Sequence, residues 1–544
     1  FITNTYTNNG NVVHSATLSL HHLPHQSHRL HPHHHHHQNR HSPSRSFIAL
    51  LSLCIIFLIR ATVSTLTTTT TKTATLPPGP FHIPVLTSIL WLRKSFAQLE
   101  PLLKTLHAKY GPIITLRIGS RPSVFIADRS LAHHALVHNS SIFSDRPKAL
   151  PTGKLTSSNQ HNISSASYGA TWRTLRRNLA SEMLNPSKIK SFSEIRNWVL
   201  DALINRLKTA SESESFTFVP HFHYAMFCLL VFMCFGERLN DEKVNEIERV
   251  QRKLLLSMSR FNVLNFWPEV TKILLRKRWE ELLKLLKDQE DVLLPLIRAR
   301  KQNKESKSVV SYADTLLELE LKEEKRKLTE EEMVTLCSEF LNGGTDTTST
   351  ALQWIMANLV KYPDVQRKLV EEIREVIGGD DNGFKKEVKE EDLQKLPYLK
   401  CVVLEGLRRH PPGHFVLPHA VTEDVVLNGY LVPKDGTVNF MVAEMGWDPL
   451  VWEDPMEFKP ERFLEDETFD ITGSKEIKMM PFGVGRRICP GYQLALLHLE
   501  YFVANLVWNF DWKVPKGGVV DLSEKQEFTM VMKNPLQVHI SPRI

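Results

Sequence analysis

The sequence predicts a mainly helical fold with a small β-rich lobe near residues 110–130 and 413–440, and three stretches predict it. A helical pattern runs unbroken from Thr329 to Tyr362, long enough to cross a whole domain. A glycine-rich loop, 481–491, ends in a single cysteine and leads at once into an apolar helical run, 492–510. The clearest alternation of apolar and polar residues, 113–118 and 123–127, flanks a Gly119-Ser120-Arg121-Pro122 turn and reads as a hairpin. At 544 residues the chain could hold several ordinary domains or one large enzyme domain.

Charge excludes one class of function. Residues 1–99 hold no Asp or Glu and seven basic residues; 67 Lys and Arg less those seven leaves 60 against 60 acidic residues in 100–544. The body is neutral, so the net charge of +7 gives no case for nucleic-acid binding. The six cysteines are scattered, with no spacing that suggests a disulfide framework or a zinc site, and the body suits a reducing compartment.

Residues 1–46 are rich in His and Ser and are read as a disordered low-complexity tail; a His tract such as 33–37 could bind a divalent metal. The chain starts at Phe1 and its first methionine is Met183, so a truncated or misassigned start is one reading of this stretch. Residues 47–59 are apolar except for Ser52, about 20 Å of helix against a hydrocarbon core of roughly 30 Å. Extended to Leu66, with Arg60 snorkelling, they are read as an N-terminal membrane anchor at 47–66. A signal-peptide core and an organellar transit peptide are the alternatives, and basic residues on both sides leave orientation open. Residues 67–80 form a Thr-rich spacer and a Pro77-Pro78-Gly79-Pro80 hinge, and 81–544 the catalytic body.

Beyond the hairpin, Trp172 and Arg176 are spaced i, i+4 on one helical face, as a surface cation–π pair would be. The aromatic, apolar stretch 216–235 reads as a core helix, and 272–300 as a charged amphipathic one. Lys and Glu clusters at 323–327 and 385–391 read as solvated loops. The long helix opens on a Thr329-x-x-Glu332 capping box and spans roughly 50 Å at 1.5 Å per residue. Its middle, Gly343-Gly344-Thr345-Asp346-Thr347-Thr348, combines two helix-weakening glycines with threonines able to bond back, so a bend or widened turn is expected. Glu405-x-x-Arg408 is a helical i, i+3 pair.

In Phe482-Gly483-Val484-Gly485-Arg486-Arg487-Ile488-Cys489-Pro490-Gly491, the cysteine sits at a helix N-terminus, where free N–H groups and the dipole favour a thiolate. The glycines allow close backbone approach, and Arg487 is suited to pair with a carboxylate.

This loop, together with Trp-x-x-x-Arg, Gly-Gly-Thr-Asp-Thr-Thr, Glu-x-x-Arg and Pro460-Glu461-Arg462-Phe463 in the same order along the chain, resembles the motif series of the cytochrome P450 family over about 76–544. The resemblance implies heme b between the long helix and the cysteine loop, with Cys489 as the axial ligand of iron and Phe482, Gly485 and Gly491 shaping that loop. It implies that Arg487, Trp172 and Arg176 meet haem propionates. Thr347 would hydrogen-bond dioxygen and Asp346 relay protons, while Glu405, Arg408 and Arg462 form a structural network. Phe340, Leu341, Gly344, His414, Phe415, Val416, Phe528 and Met530 would face substrate.

The implied activity is a monooxygenase acting on a small, apolar molecule. Its electrons would come from NADPH through NADPH–cytochrome P450 reductase. The anchor, hinge and loop look like the plant microsomal A-type branch, at the endoplasmic reticulum membrane with a cytosolic catalytic domain; a plastid or other organelle is the alternative. The rival readings are a haem-thiolate isomerase or dehydratase acting on hydroperoxides, against which the intact Asp346-Thr347 pair argues, and a non-enzymatic haem-binding protein.

Overall fold

The computed structural model describes residues 74–82 and 96–543 apart from 119–120, 211–214, 303–308, 378–386, 435 and 467–468, together with Ser52, Thr87 and Trp91. The tail at 1–46 lies outside the described residues, as does the proposed anchor at 47–66 save for Ser52. No helix among the described residues is long and apolar enough to cross a membrane.

The elements that matter for the site are α1 (Phe96–Tyr110), β1 (Ile113–Ile118), β2 (Arg121–Ile126), α2 (Ala170–Glu182), α3 (Val219–Phe235), α4 (Asp241–Ser257), α5 (Arg276–Gln302), α6 (Glu330–Lys361), α7 (Pro397–Arg409), β3 (Val425–Leu427), β4 (Tyr430–Val432), β5 (Thr437–Phe440), α8 (Tyr492–Asn509), β6 (Glu524–Gln526) and β7 (Met530–Met532). The helical body and the small β lobe are those the sequence predicts.

The central helix α6 begins as its sequence requires. Thr329 Oγ1 accepts from the Glu332 N–H and Glu332 Oε2 accepts from the Thr329 N–H, at 3.2 and 2.8 Å. From there nearly every residue is buried, because α3, α5, α7 and α8 surround it. Its apolar residues, with those of α3 and α8, make one continuous core: Leu336, Leu352, Trp354, Ile355 and Leu359 are inaccessible to solvent. The expected widened turn is absent. Hydrogen bonding stays α-helical through Gly343–Thr348, and Thr347 Oγ1 donates to the Gly343 carbonyl at 2.7 Å without breaking the ladder.

The glycines serve packing. A Cβ on Gly344 would collide with Leu230 Cδ1 of α3, and one on Gly406 of α7 with Ile355 of α6. Small residues at these crossings let the helices approach closely.

The β lobe is built on the predicted hairpin. β1 and β2 pair antiparallel from Ile113↔Ile126 to Ile118↔Arg121, and β5 adds in parallel along β2, with Val124 opposite Val438. β3 and β4 form a second hairpin whose turn, Asn428-Gly429, has both φ angles positive (52° and 79°). The proline hinge docks on this lobe: the Thr115 N–H donates to the Pro78 carbonyl at 2.9 Å, and a Cβ on Gly79 would strike the Thr115 carbonyl. One charged cluster differs from its sequence reading. Glu390 accepts a two-pronged bond from Arg196, a fully buried guanidinium, at 2.7 and 2.9 Å. It ties a loop to the core instead of sitting in solvent.

Candidate active site

A cavity of about 430 Å³ lies between the middle of α6 and the cysteine loop. Gly343, Gly344, Thr347 and Ala351 line it from α6, and Phe482, Cys489 and Gly491 from the cysteine loop. Trp172 and Arg176 of α2 reach it from the side, as does Arg487, and Phe340, Phe415, Val416 and Phe528 complete its apolar surface. Most of the predicted site residues therefore meet at one place.

The cysteine loop is held from both ends. The Cys489 N–H donates to the Phe482 carbonyl at 2.8 Å, and Arg176 Nη2 donates to the Ile488 carbonyl at 2.6 Å. Gly485, at φ 77°, lies so close to the Leu136 carbonyl that any Cβ would overlap it, which fixes the loop against the helical turn at 134–138. The Cys489 thiol opens into the cavity but is shielded from bulk solvent. Burial pushes its pKa up, the Gly491 N–H and the Arg176 charge pull it down, and the balance lies above the ordinary value. A bound metal would offset that burial, because a coordinating thiol is deprotonated outright.

Among the described residues, Arg487 pairs with no carboxylate. Its guanidinium donates to the carbonyls of Ser144 (2.7 Å), Ile163 (3.3 Å) and Ala166 (2.6 Å) and lies 4.3 Å from the centroid of the Trp172 ring. Arg146, which nothing in its sequence context marks, lies beside it and donates to the carbonyls of Ser164, Leu417 and Pro418. Burial lowers both arginines, Arg146 to about 9 and Arg487 to about 10; the Arg487 charge lowers Arg146 further, and Arg176 does the same to Arg487.

Three guanidinium groups and the buried, unpartnered Trp172 indole N–H thus face one apolar cavity that has a thiol in its wall. A flat apolar group with anionic edges and a thiolate-binding metal fits this donor set, and haem is such a group.

Some predicted residues stand elsewhere. Asp346 is buried behind the cavity wall, where Oδ1 accepts from Arg252 Nη1 at 2.9 Å and lies 3.4 Å from His223 Nε2. Leu341 is fully buried on the far side of α6 and does not line the cavity. His414 is turned away: its Nδ1 meets Glu100 at 2.8 Å and its Nε2 is 3.4 Å from Glu524, so a carboxylate pair draws the ring out of the site. Met530 is a strand residue whose carbonyl accepts from Trp354 Nε1 at 2.7 Å, and its buried side chain does not line the cavity.

Glu405 and Arg408 of α7 are wholly buried and share two hydrogen bonds at 2.7 and 2.8 Å, and Arg462 Nε reaches Glu405 at 3.2 Å. They form a network outside the cavity. Sequence reasoning missed Arg146, Glu339 and His419. Glu339 accepts from the N–H groups of Ile163 and Ser164 at 2.8 and 2.7 Å, and His419 shares 2.6 Å with the Phe143 carbonyl. None of the three belongs to a local sequence pattern that would announce it.

The comparisons agree with this geometry. The cytochrome P450 family model matches residues 77–541. "Cytochrome P450 89A9" of Arabidopsis thaliana is 54% identical over 484 residues, which cover 87% of this chain and 94% of that protein. An isoflavone 3'-hydroxylase of Medicago truncatula is 32% identical over 85% of this chain and 91% of its own. Among solved structures, a zebra fish cytochrome P450 described with progesterone superposes with a TM-score of 0.70 at 22% identity, over 82% of this chain and 99% of its own, a likeness of fold. With its thiol, its arginines and its long helix arranged around one cavity, and with the family model spanning nearly all of the described body, the chain belongs to the cytochrome P450 family and is a haem-thiolate monooxygenase.

Proposed function

We propose that the protein hydroxylates a small lipophilic plant metabolite with electrons from NADPH, delivered by NADPH–cytochrome P450 reductase at the endoplasmic reticulum membrane. Residues 47–66 would anchor it, with the catalytic body in the cytosol. The observation that carries this reading is that Cys489 and Thr347, from separate elements, line one largely apolar cavity. Relatives named isoflavone 2'-hydroxylase, strychnine-11-hydroxylase and 5-epiaristolochene 1,3-dihydroxylase support a hydroxylation.

Haem, when bound, would supply iron that activates dioxygen, with electron density pushed onto it by a thiolate ligand. Cys489 is the residue to provide that thiolate. Arg176, Arg487 and the Trp172 N–H would hold the carboxylates of haem, and Arg146 adds positive charge beside them.

On α6, Thr347 gives its own hydrogen to the Gly343 carbonyl, which leaves its oxygen as an acceptor at the cavity surface. That oxygen lies one residue along α6 from Asp346, whose buried carboxylate is paired with Arg252 and would relay a proton. Phe340, Phe415, Val416 and Phe528 would shape the substrate volume and exclude water from it. Phe528 is 46% exposed, so it stands at the mouth of the cavity as well as in its wall.

The test is a reduced carbon-monoxide difference spectrum of membranes carrying the full chain and its Cys489→Ala variant. A thiolate-type band in the parent that is lost in the variant is expected; the same band in both would overturn the ligand assignment. Replacing Thr347 by Val, which keeps the shape and removes the hydroxyl, should divert NADPH to hydrogen peroxide. Undiminished coupling in that variant would remove Thr347 from the chemistry.

A further inference from the structure

Behind the α6 wall lies a polar cluster that the sequence did not announce. His223 of α3 is held between two carboxylates on different helices. Its Nδ1 is 2.6 Å from Glu248 Oε1 of α4, and its Nε2 is 3.4 Å from Asp346 Oδ1 of α6. Arg252, one helical turn beyond Glu248, places Nη1 3.1 Å from His223 Nε2 and 2.9 Å from Asp346, while its Nη2 is 3.5 Å from Glu527 Oε2.

The ring therefore has one fixed nitrogen and one exchangeable nitrogen. With Nδ1–H donating to Glu248, Nε2 accepts from Arg252 when the ring is neutral and faces Asp346 when it is protonated.

A small cavity of about 30 Å³ opens beside them, lined by His223, Arg252, Asp346 and Glu527; roughly 10–15 Å³ is enough to hold a water. Side-chain exposure rises outward from 10% at His223 and Asp346 to 26% at Glu527 and 37% at Arg252, so the cluster spans the distance from solvent to the central helix. Burial disfavours the charged ring, but the hydrogen bonds to Asp346 and Glu248 outweigh it and raise its pKa. Of the charged groups on the adjoining turns, Asp241 binds Arg206 and Tyr224, and Lys525 pairs with Glu527 at the outer end of the cluster.

We propose that His223 resupplies protons to Asp346 from solvent, with Glu248 as the positioning residue that orients its ring. In one transfer the Nε2–H bond of the imidazolium breaks and an O–H bond forms on Asp346, leaving a neutral imidazole beside a neutral carboxylic acid. A water in the small cavity then returns a solvent proton to Nε2. Arg252, the most exposed member, pairs with the carboxylate at 2.9 Å and can move aside as Asp346 takes up the proton. The inference rests on Asp346 being the distal acid, and its test separates the two ideas.

The holoenzyme is mixed with NADPH and reductase, without added substrate, and peroxide released per NADPH is followed across about pH 5 to 8, where an unperturbed histidine changes charge. His223→Gln, which fills the site but does not titrate there, should raise the peroxide fraction several-fold and remove its inflection with pH. Glu248→Gln should move that inflection to lower pH while the ring stays in place. Thermal unfolding of the same holoproteins gives a readout independent of turnover. Wild type should gain stability over His223→Gln as pH falls through the histidine range, and the gain should shrink when Asp346 is Asn in both, since only Glu248 then faces the ring. If Asp346→Asn alters peroxide release and neither His223→Gln nor Glu248→Gln does, the relay is wrong and the distal acid stands. If Asp346→Asn alters nothing, the distal acid is wrong and the relay falls with it.

Discussion

Trp172 and Arg487, 315 positions apart in sequence, stack with the guanidinium carbon 4.3 Å from the indole centroid. The stack joins α2 to the cysteine loop and leaves the indole N–H buried without a partner. A buried donor left unmade costs about 1–3 kcal/mol, a cost that haem binding would recover. Trp172→Phe keeps an aromatic face for Arg487 and removes only the N–H. It should release haem to an acceptor apoprotein roughly tenfold faster, as a loss of about 1.4 kcal/mol implies, with little change in thermal stability of the haem-free fold. Equal release rates would show that the N–H does not reach the cofactor.

The Glu405–Arg408 pair calls for a different expectation. Arg408 spends its donors on Glu405 and on the carbonyls of Gly446, Pro455 and Glu457. Removing one partner from a buried pair costs about 3–5 kcal/mol because the other charge is stranded. Arg408→Lys, which cannot reach all these acceptors, should lower the melting temperature sharply and yield protein poor in haem. Arg462→Ala should cost less, since Arg462 makes a single 3.2 Å bond to Glu405 from the edge of the network. A melting temperature lowered equally by both would mean that the network is not graded in this way.

These two cases also show what the sequence could reveal. The capping box at Thr329, the 113–126 hairpin, the burial of α3 and the cysteine loop were legible because each is a local pattern whose physics acts within a few residues. The reasons for Gly406 and Gly344 were not, since the groups that exclude a Cβ, Ile355 and Leu230, lie on other helices. His414 misled for the same reason: Glu100 and Glu524 approach it from distant parts of the chain and turn it out of the cavity. Leu341 and Met530 adjoin true lining residues in sequence, yet helical and strand periodicity turns their side chains the other way. Arg146 and Glu339 became functional candidates only when folding placed them beside one cavity.

His410 is buried, lies flat on Trp354 with ring centroids 4.0 Å apart, and places Nδ1 3.1 Å from Glu524. Burial lowers its pKa to about 4 despite that carboxylate, and burial likewise lowers His419 and His498 to about 3. A depressed histidine is neutral in the fold while the unfolded chain takes up a proton, so its stabilising effect is complete above about pH 6.5. It is lost as pH falls from there to the folded value, and for His410 the loss amounts to about 3 kcal/mol. His223 acts in the opposite sense, since its raised pKa adds stability below about 6.5 that disappears as pH rises through the folded value. Melting temperature should therefore fall between about pH 6.5 and 4, and fall less steeply in His410→Gln, which can keep a hydrogen bond to Glu524 but cannot take up the proton. An unchanged slope in that variant would show that the His410 ring is already charged in the folded protein.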